Sequence, residues 1–304
     1  MEPFEVNILG CGSAKPTTRH LPSAQVVNIR NKYFLVDCGE GAQKQMQHMR
    51  LAMARIGVVF ISHNHGDHVF GLPGLISTMS LLGRTADLHI YAPQQTAALI
   101  DFTLSHYCTD ITYKVKFHPI NTREHYIIYE DRSVTVWSIP LNHRLPCSGF
   151  LFREKAGLPH IRRDMMDAFN IPYSQVNNIK AGASWTTEDG TVIPHEKLTT
   201  PADKARSYAY CSDTAYMPSL APLLQGVDLL YHEATYADEN ILQAGKYLHS
   251  TVSQAATLAR DAGVGKLCVG HFSASIDNEE NLLAAAKAIF TQTILAKEGL
   301  RIKI

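Results

Sequence analysis

The stretch Ile56-Gly57-Val58-Val59-Phe60-Ile61-Ser62-His63-Asn64-His65-Gly66-Asp67-His68 runs from an apolar, β-branched segment directly into three histidines and an aspartate. Its first half reads as a buried strand. His63 and His65, two apart in an extended backbone, project to the same side, as two ligands of one metal must. Gly66 permits a sharp turn, after which Asp67 and His68 face another direction. Four ligand-type side chains within six residues therefore suit two metals better than one. The plain alternative is a polar loop with a chance histidine cluster, and residue frequencies make that an uncommon accident.

Other strand-like segments end in the same residue types. VTVWSIPLNH ends at His143, SYAYCSD at Asp213 and KLCVGH at His271. Taken singly, each is more often a core or surface residue. In open α/β sheets, however, sites form where strand carboxyl ends converge, and with the cluster these three bring the set to seven ligands, enough for two metals. Imidazole and carboxylate without thiolate favour Zn²⁺, with Mn²⁺ or Fe²⁺ compatible.

FEVNILG, YFLVDCG, LHIYAP and VDLLYHE also read as strands. Helical periodicity fits 41–51, 71–82, 251–262 and 279–289, the third being followed by Gly263. Strands mixed with helices from end to end indicate a layered α/β fold in a single domain spanning 1–304. From about 153 to 200 the rhythm breaks: apart from a short helix at 161–168, the segment is expected to be irregular and rich in Pro, Gly, Asn and Thr. A loop of that length inside a compact domain is normally functional or mobile. Neither an internal repeat nor a low-complexity tract is found.

The 304 residues are 45% hydrophobic and 18% charged, a globular composition that excludes a disordered, collagen-like or coiled-coil chain. Lys+Arg and Asp+Glu both number 28, so the net charge offers no general attraction to nucleic acid or anionic membrane, and a polyanion would need a local patch. The acidic start MEPFEVNILG does not read as a signal peptide, and no stretch approaches a membrane span, so a cytoplasmic location is expected. Cys11, Cys38, Cys108, Cys147, Cys211 and Cys268 contain no Cys-x-x-Cys pair, which suggests reduced thiols rather than a disulfide framework or structural zinc knuckle.

The pattern His63-x-His65-x-Asp67-His68 with later His143, Asp213 and His271 resembles the metallo-β-lactamase superfamily, whose fold is an αββα sandwich with a dinuclear metal site. Gly10-Cys11-Gly12-Ser13-Ala14-Lys15-Pro16-Thr17 and Asp37-Cys38-Gly39-Glu40-Gly41 narrow the resemblance. Together with His232-Glu233-Ala234-Thr235, His249-Ser250-Thr251 and Gly270-His271-Phe272-Ser273, they resemble the ribonuclease Z (tRNase Z) family in its short, bacterial-type form, from Phe4 to about Phe290.

The resemblance implies a zinc-dependent endoribonuclease that removes the 3′ trailer from precursor tRNA, leaving a tRNA 3′-hydroxyl and a 5′-phosphorylated trailer. Two Zn²⁺ per chain are implied, with His63, His65 and His143 on one metal, Asp67, His68 and His271 on the other, and Asp213 bridging. Asp67 would also serve the nucleophilic water. His249 would be the general acid, with Glu233 holding its tautomer. Without the resemblance, Glu233 reads as a strand-end carboxylate and His249 as a residue ahead of a helix cap at Ser250 or Thr251. Asp37 reads either as support for the ligand loop or as a cap of the turn at Gly39. Gly10-x-Gly12-Ser13 is too short for a nucleotide-binding loop and reads as a tight turn near the site.

The segment 153–200 lies where the family carries a protruding tRNA-binding arm. Its opening, Arg153 to Arg163, has four basic side chains against one acidic, and Arg162 and Arg163 are the expected phosphate contacts, the alternative being a solvated charged loop. Asn170-Ile171-Pro172-Tyr173-Ser174 departs from the glycine-proline pair often found there. Family members commonly form homodimers in which one subunit's arm holds the tRNA cut by the other. Two other readings stay open: a small-molecule hydrolase of the same superfamily, such as a phosphodiesterase, and a non-catalytic RNA-binding protein.

Overall fold

The structure, a computed structural model, describes residues 2–304. They form two compact units, residues 154–205 and a larger one of residues 2–153 with 206–304. No helix among the described residues is long and apolar enough to cross a membrane.

The larger unit holds two seven-stranded sheets. The first runs in the order Arg301–Lys303, Phe4–Gly10, Ala24–Ile29, Lys32–Cys38, Ile56–Phe60, Leu88–Ala92 and Val115–Pro119. The second runs Thr293–Leu295, Leu267–Gly270, Leu229–Glu233, Ser207–Cys211, Cys147–Glu154, Val134–Leu141 and Ile127–Glu130. Each is mixed: the last four strands of the first sheet are parallel, as are the first four of the second.

Strand sequence and layering correspond. In Phe4–Gly10, Val6 and Ile8 enter a core shared with the second sheet, whereas Leu9 enters a separate one. Phe34 and Val36 against Tyr33 and Leu35 repeat the division, as do Val58 and Phe60 against Val59 and Ile61. A strand buried on both faces needs apolar residues throughout, hence the continuous apolar runs. The separate core is filled by Met46, Leu75, Ile76, Met79 and Ile100 of the helices Ala42–His48, Leu72–Leu81 and Ala97–His106. The helices Val252–Asp261 and Glu279–Ile289 bring Val252, Ala255, Ala256, Ala259 and Leu282 to the shared core. The layers are thus helix, sheet, sheet, helix. Between the sheets, Phe60 lies 5.3 Å from Phe150 and 5.5 Å from Phe152, ring centre to ring centre.

The helix expected at 279–289 spans Glu279–Ile289, and that expected at 251–262 spans Val252–Asp261, started by a capping box of Thr251 and Gln254. Strands that the sequence reading did not pick out include two inside the sheets, Ala24–Ile29 and Cys147–Glu154. Gln25 and Asn28 break the apolar run of the first, and Gly149 that of the second.

The unit 154–205 is more regular than its composition suggested. Helices Arg163–Ala168, Val176–Lys180 and His195–Leu198 and two small antiparallel ladders surround a core of Met166, Ile171, Ile179, Ile193 and Leu198. Its ladders pair His160–Ile161 with Thr199–Thr200, and Trp185–Thr186 with Val192–Ile193. Elements of two to six residues are too short to register as periodicity, which is why the segment read as a loop.

Candidate metal centre

The carboxyl ends of strands in both sheets carry the site. After Ile56–Phe60 the chain passes through Ser62, His63 and His65 and turns into a single helical turn, Gly66–Val69, which brings Asp67 and His68 back toward the preceding histidines. Asp213 and His271 follow Ser207–Cys211 and Leu267–Gly270, and His143 follows Val134–Leu141. Asp37, Asp213 and His271 all take left-handed backbone conformations, with φ of 55°, 61° and 60°. Such residues cost about 1–3 kcal/mol each and persist only where surrounding contacts hold them. The Asp-Cys-Gly stretch is equally constrained: a Cβ on Gly39 would lie 2.5 Å from the carbonyl oxygen of Asp67.

Two groups of ligand atoms result, His63, His65, His143 and Asp213 in one, Asp67, His68 and His271 in the other. Asp213 joins them: its Oδ2 is 3.6 Å from His63 Nε2 and 3.7 Å from His143 Nε2, while its Oδ1 is 3.3 Å from His68 Nε2 and 3.1 Å from His271 Nε2. Asp67 Oδ2 lies 3.6 Å from both His68 Nε2 and His271 Nε2. Each of the seven residues named from the sequence as a metal ligand falls in one of these groups.

The outward nitrogens show that these rings fit a cation. His68 Nδ1 donates to Asp37 Oδ2 at 2.7 Å, and His143 Nδ1 to the carbonyl of Leu248 at 3.2 Å. Ser62 Oγ gives its proton to Asp37 Oδ2 and so accepts from His63 Nδ1 at 3.0 Å. Thr235 Oγ1 gives its proton to Glu233 Oε2 and accepts from His271 Nδ1 at 2.9 Å. With Nδ1 committed as a donor, Nε2 of all four rings keeps its lone pair directed inward, the tautomer a metal requires. Burial keeps His63, His65 and His143 below the usual imidazole pKa, which favours the neutral, ligating form. Burial opposes ionisation of Asp67, but the adjacent His68 and His271 rings override it and hold the carboxyl well below its ordinary range.

Asp37 is fully buried and its four partners, Ser62 N, Ser62 Oγ, His68 Nδ1 and Tyr210 Oη, lie at 2.6–2.9 Å. It therefore supports the ligand loop and does not cap the turn at Gly39. Glu233 has a parallel place. Its Oε1 accepts from Thr214 N at 2.6 Å and His249 Nδ1 at 2.9 Å, and its Oε2 from Thr235 Oγ1 and Ser250 N. Burial alone would make His249 harder to protonate, but the Glu233 charge and hydrogen bond override it and hold its pKa up to about 9.

A cleft of about 340 Å³ opens onto this centre, lined by His65, Asp67, Asp213, His249 and His271 together with Ser13, Ala14, Phe70 and Arg144. Sequence reasoning singled out neither Phe70 nor Arg144. Phe70 is 67% exposed, and the Arg144 guanidinium sits 5.9 Å from the Tyr247 ring centre. The glycine turn contributes directly, since Ala14 N donates to Asp67 Oδ2 at 2.7 Å. In the unit 154–205, Arg162 pairs with Asp164 at 2.6 Å and Arg163 Nη2 donates to Tyr173 Oη at 2.9 Å.

Over its full length the chain is 53% identical to the full length of a ribonuclease Z of Bacteroides fragilis. It belongs to the ribonuclease Z family. A crystal structure of human tRNase Z, short form (ELAC1), is 25% identical with a TM-score of 0.69, over 98% of both chains. The metallo-β-lactamase fold protein YhfI of Bacillus subtilis superposes over 100% of both chains at 19% identity, with a TM-score of 0.69, and shares the fold. Residues 4–158 match the family model described as anti-Pycsar protein Apyc1. That span carries five of the seven residues expected from the sequence as metal ligands of this ribonuclease Z family member, with Asp213 and His271 beyond it.

Proposed function

We propose that the chain cuts precursor tRNA at its 3′ side as a two-metal endoribonuclease, leaving a 3′-hydroxyl on the tRNA and a 5′-phosphate on the trailer. The observation that carries this reading is the convergence in one cleft of the two His/Asp groups and the Glu233–His249 pair. The similarity to ribonuclease Z along the whole chain supports the substrate class.

His63, His65 and His143 would hold one cation and Asp67, His68 and His271 the other, with Asp213 shared; two Zn²⁺ suit this donor set, and Mn²⁺ or Fe²⁺ are compatible with it. When bound, such cations neutralise the phosphodiester oxygens and acidify the attacking water. The protein's own groups handle the protons. Asp67, held ionised and fixed by Ala14 N–H, orients the water and takes its proton. His249, kept protonated by Glu233, gives a proton to the departing 3′ oxygen of the tRNA. Arg144, at the cleft, complements the charge of the scissile phosphate.

The unit 154–205 serves in this reading as the arm that grips the tRNA, with Arg162 and Arg163 as phosphate contacts. The reading also includes a homodimer, tested by sedimentation at micromolar concentration, and a cytoplasmic location, where the six buried thiols would stay reduced. Incubation with a precursor tRNA and end-mapping of the products tests the reaction. Cleavage confined to small phosphodiesters would instead favour the small-molecule hydrolase, and RNA binding without turnover the non-catalytic protein.

A further inference from the structure

A second set of metal-type donors lies behind the glycine turn, assembled from distant parts of the sequence. Cys11 Sγ is 3.3 Å from His20 Nδ1 and 3.6 Å from Glu298 Oε1, and His20 Nδ1 is 3.3 Å from the same oxygen. These three edges are those of a tetrahedral zinc site, for which Zn–S of about 2.3 Å and Zn–N or Zn–O of about 2.0–2.2 Å put neighbouring donors ~3.3–3.6 Å apart. The surroundings are also those of a metal site. The other ring nitrogen of His20, Nε2, faces Glu279 Oε1 at 2.7 Å, the carboxylate–histidine arrangement that fixes the tautomer of a ligating imidazole. Glu298 Oε1 is held in place by Leu21 N at 3.0 Å and Cys11 N at 3.3 Å. Cys11 is fully buried, whereas the Glu298 and Glu279 side chains are 16% and 19% exposed, so the group lies just beneath the surface.

We propose that Cys11, His20 and Glu298 form a separate site for one divalent cation of the zinc type, distinct from the His/Asp centre. Thiolate with imidazole and one carboxylate selects Zn²⁺ over Mg²⁺ or Ca²⁺, and the second oxygen of Glu298 or a water completes four-coordination. The cation fastens the loop 11–21 to the carboxyl-terminal segment that carries Glu298. That loop includes Ala14, whose N–H holds Asp67, and Gly12, which bridges to Phe272 beside His271. The site is thus a staple for one wall of the cleft and takes no part in bond breaking. The absence of a Cys-x-x-Cys pair hid it from the sequence, because its donors lie 9 and 278 residues apart.

Cobalt separates this site from the His/Asp centre, whose ligand groups contain no thiol. Protein stripped with a chelator and titrated with Co²⁺ should develop a thiolate-to-cobalt charge-transfer band in the near ultraviolet, in addition to the visible bands of cobalt on nitrogen and oxygen ligands. The charge-transfer band should vanish in Cys11→Ser and weaken in His20→Gln, yet persist in His65→Ala, which disturbs only the other centre. Zinc content of the purified protein should fall by one equivalent per chain in Cys11→Ser and in His20→Gln. His20→Gln keeps the thiol and a polar side chain, so it serves as the second variant if Cys11→Ser does not fold. Visible bands without a charge-transfer band in the wild type, or a charge-transfer band that survives Cys11→Ser, would overturn the proposal and leave the group as a hydrogen-bonded clamp of His20 between Glu279 and Glu298. A charge-transfer band with only one equivalent of cobalt bound per chain would count against the two-metal reading of the catalytic centre and leave this site standing.

Discussion

Asp37 Oδ2 lies 2.7 Å from Nδ1 of His68, with both side chains sealed from solvent and Asp37 in a left-handed backbone conformation. The carboxylate fixes the ring with its Nε2 lone pair toward the centre. Through Ser62 it does the same for His63, so one residue orients a candidate ligand in each group. Asp37→Asn presents an amide that cannot accept all of these protons, and metal affinity should drop about 10- to 100-fold. Zinc retention during dialysis against a graded chelator series checks this. Unchanged retention would limit Asp37 to supporting the backbone.

His249→Ala should slow cleavage of precursor tRNA by roughly 10² to 10⁴ with metal content intact, the scale of a lost general acid. The deficit should shrink on a nitrophenyl phosphodiester, whose leaving group needs no proton. Equal deficits on both substrates would remove His249 from that role.

The pH dependence follows from the sign of the His249 shift. Its pKa is raised to about 9 by Glu233, so the acid form survives through neutral pH and is lost as pH rises through that value. Glu233→Gln removes the charge that opposes desolvation, and the alkaline limb of kcat should move to lower pH. A limb that stays in place would assign it to another group.

What could be read in the sequence and what could not differ for a physical reason. Ligands at strand ends are legible because they break conspicuous apolar runs: three His and an Asp close Ile56–Phe60, and His271 closes Leu267–Gly270. The support of the ligands was harder to see. Asp37 was equally readable as a turn cap until its contacts with Ser62, His68 and Tyr210 were known, since those partners are 25, 31 and 173 residues away. Thr235, which relays His271 to Glu233, carries no pattern of its own. Phe70 and Arg144 sit beside the ligands His68 and His143 in sequence, but only the cleft geometry distinguishes them from ordinary surface residues.

Phe70 offers an exposed ring at the cleft, suited to stacking a base near the cut. Phe70→Ala should cost about 1–3 kcal/mol of RNA binding, seen as a higher KM for precursor tRNA, and leave a small phosphodiester unaffected. Equal effects on both substrates would mean that the ring shapes the metal centre instead.

Arg162→Ala with Arg163→Ala removes two cationic groups that face Asp164 and Tyr173 in the present structure. If they bind phosphate, KM for precursor tRNA should rise and the salt dependence should flatten by about two units of slope. A salt series indistinguishable from wild type would reduce both to surface charges.

Cleavage of precursor tRNA at its 3′ side by the His/Asp centre should depend on metal. Its most direct measurement compares metal-loaded protein, chelator-stripped protein and His65→Ala on one precursor tRNA, with both product ends mapped. The loaded protein should give a tRNA ending in a 3′-hydroxyl and a trailer beginning with a 5′-phosphate, both should be lost on stripping and return on adding Zn²⁺, and His65→Ala should give little product at any metal concentration. Undiminished cleavage by the stripped protein, or products bearing a 3′-phosphate, would contradict it.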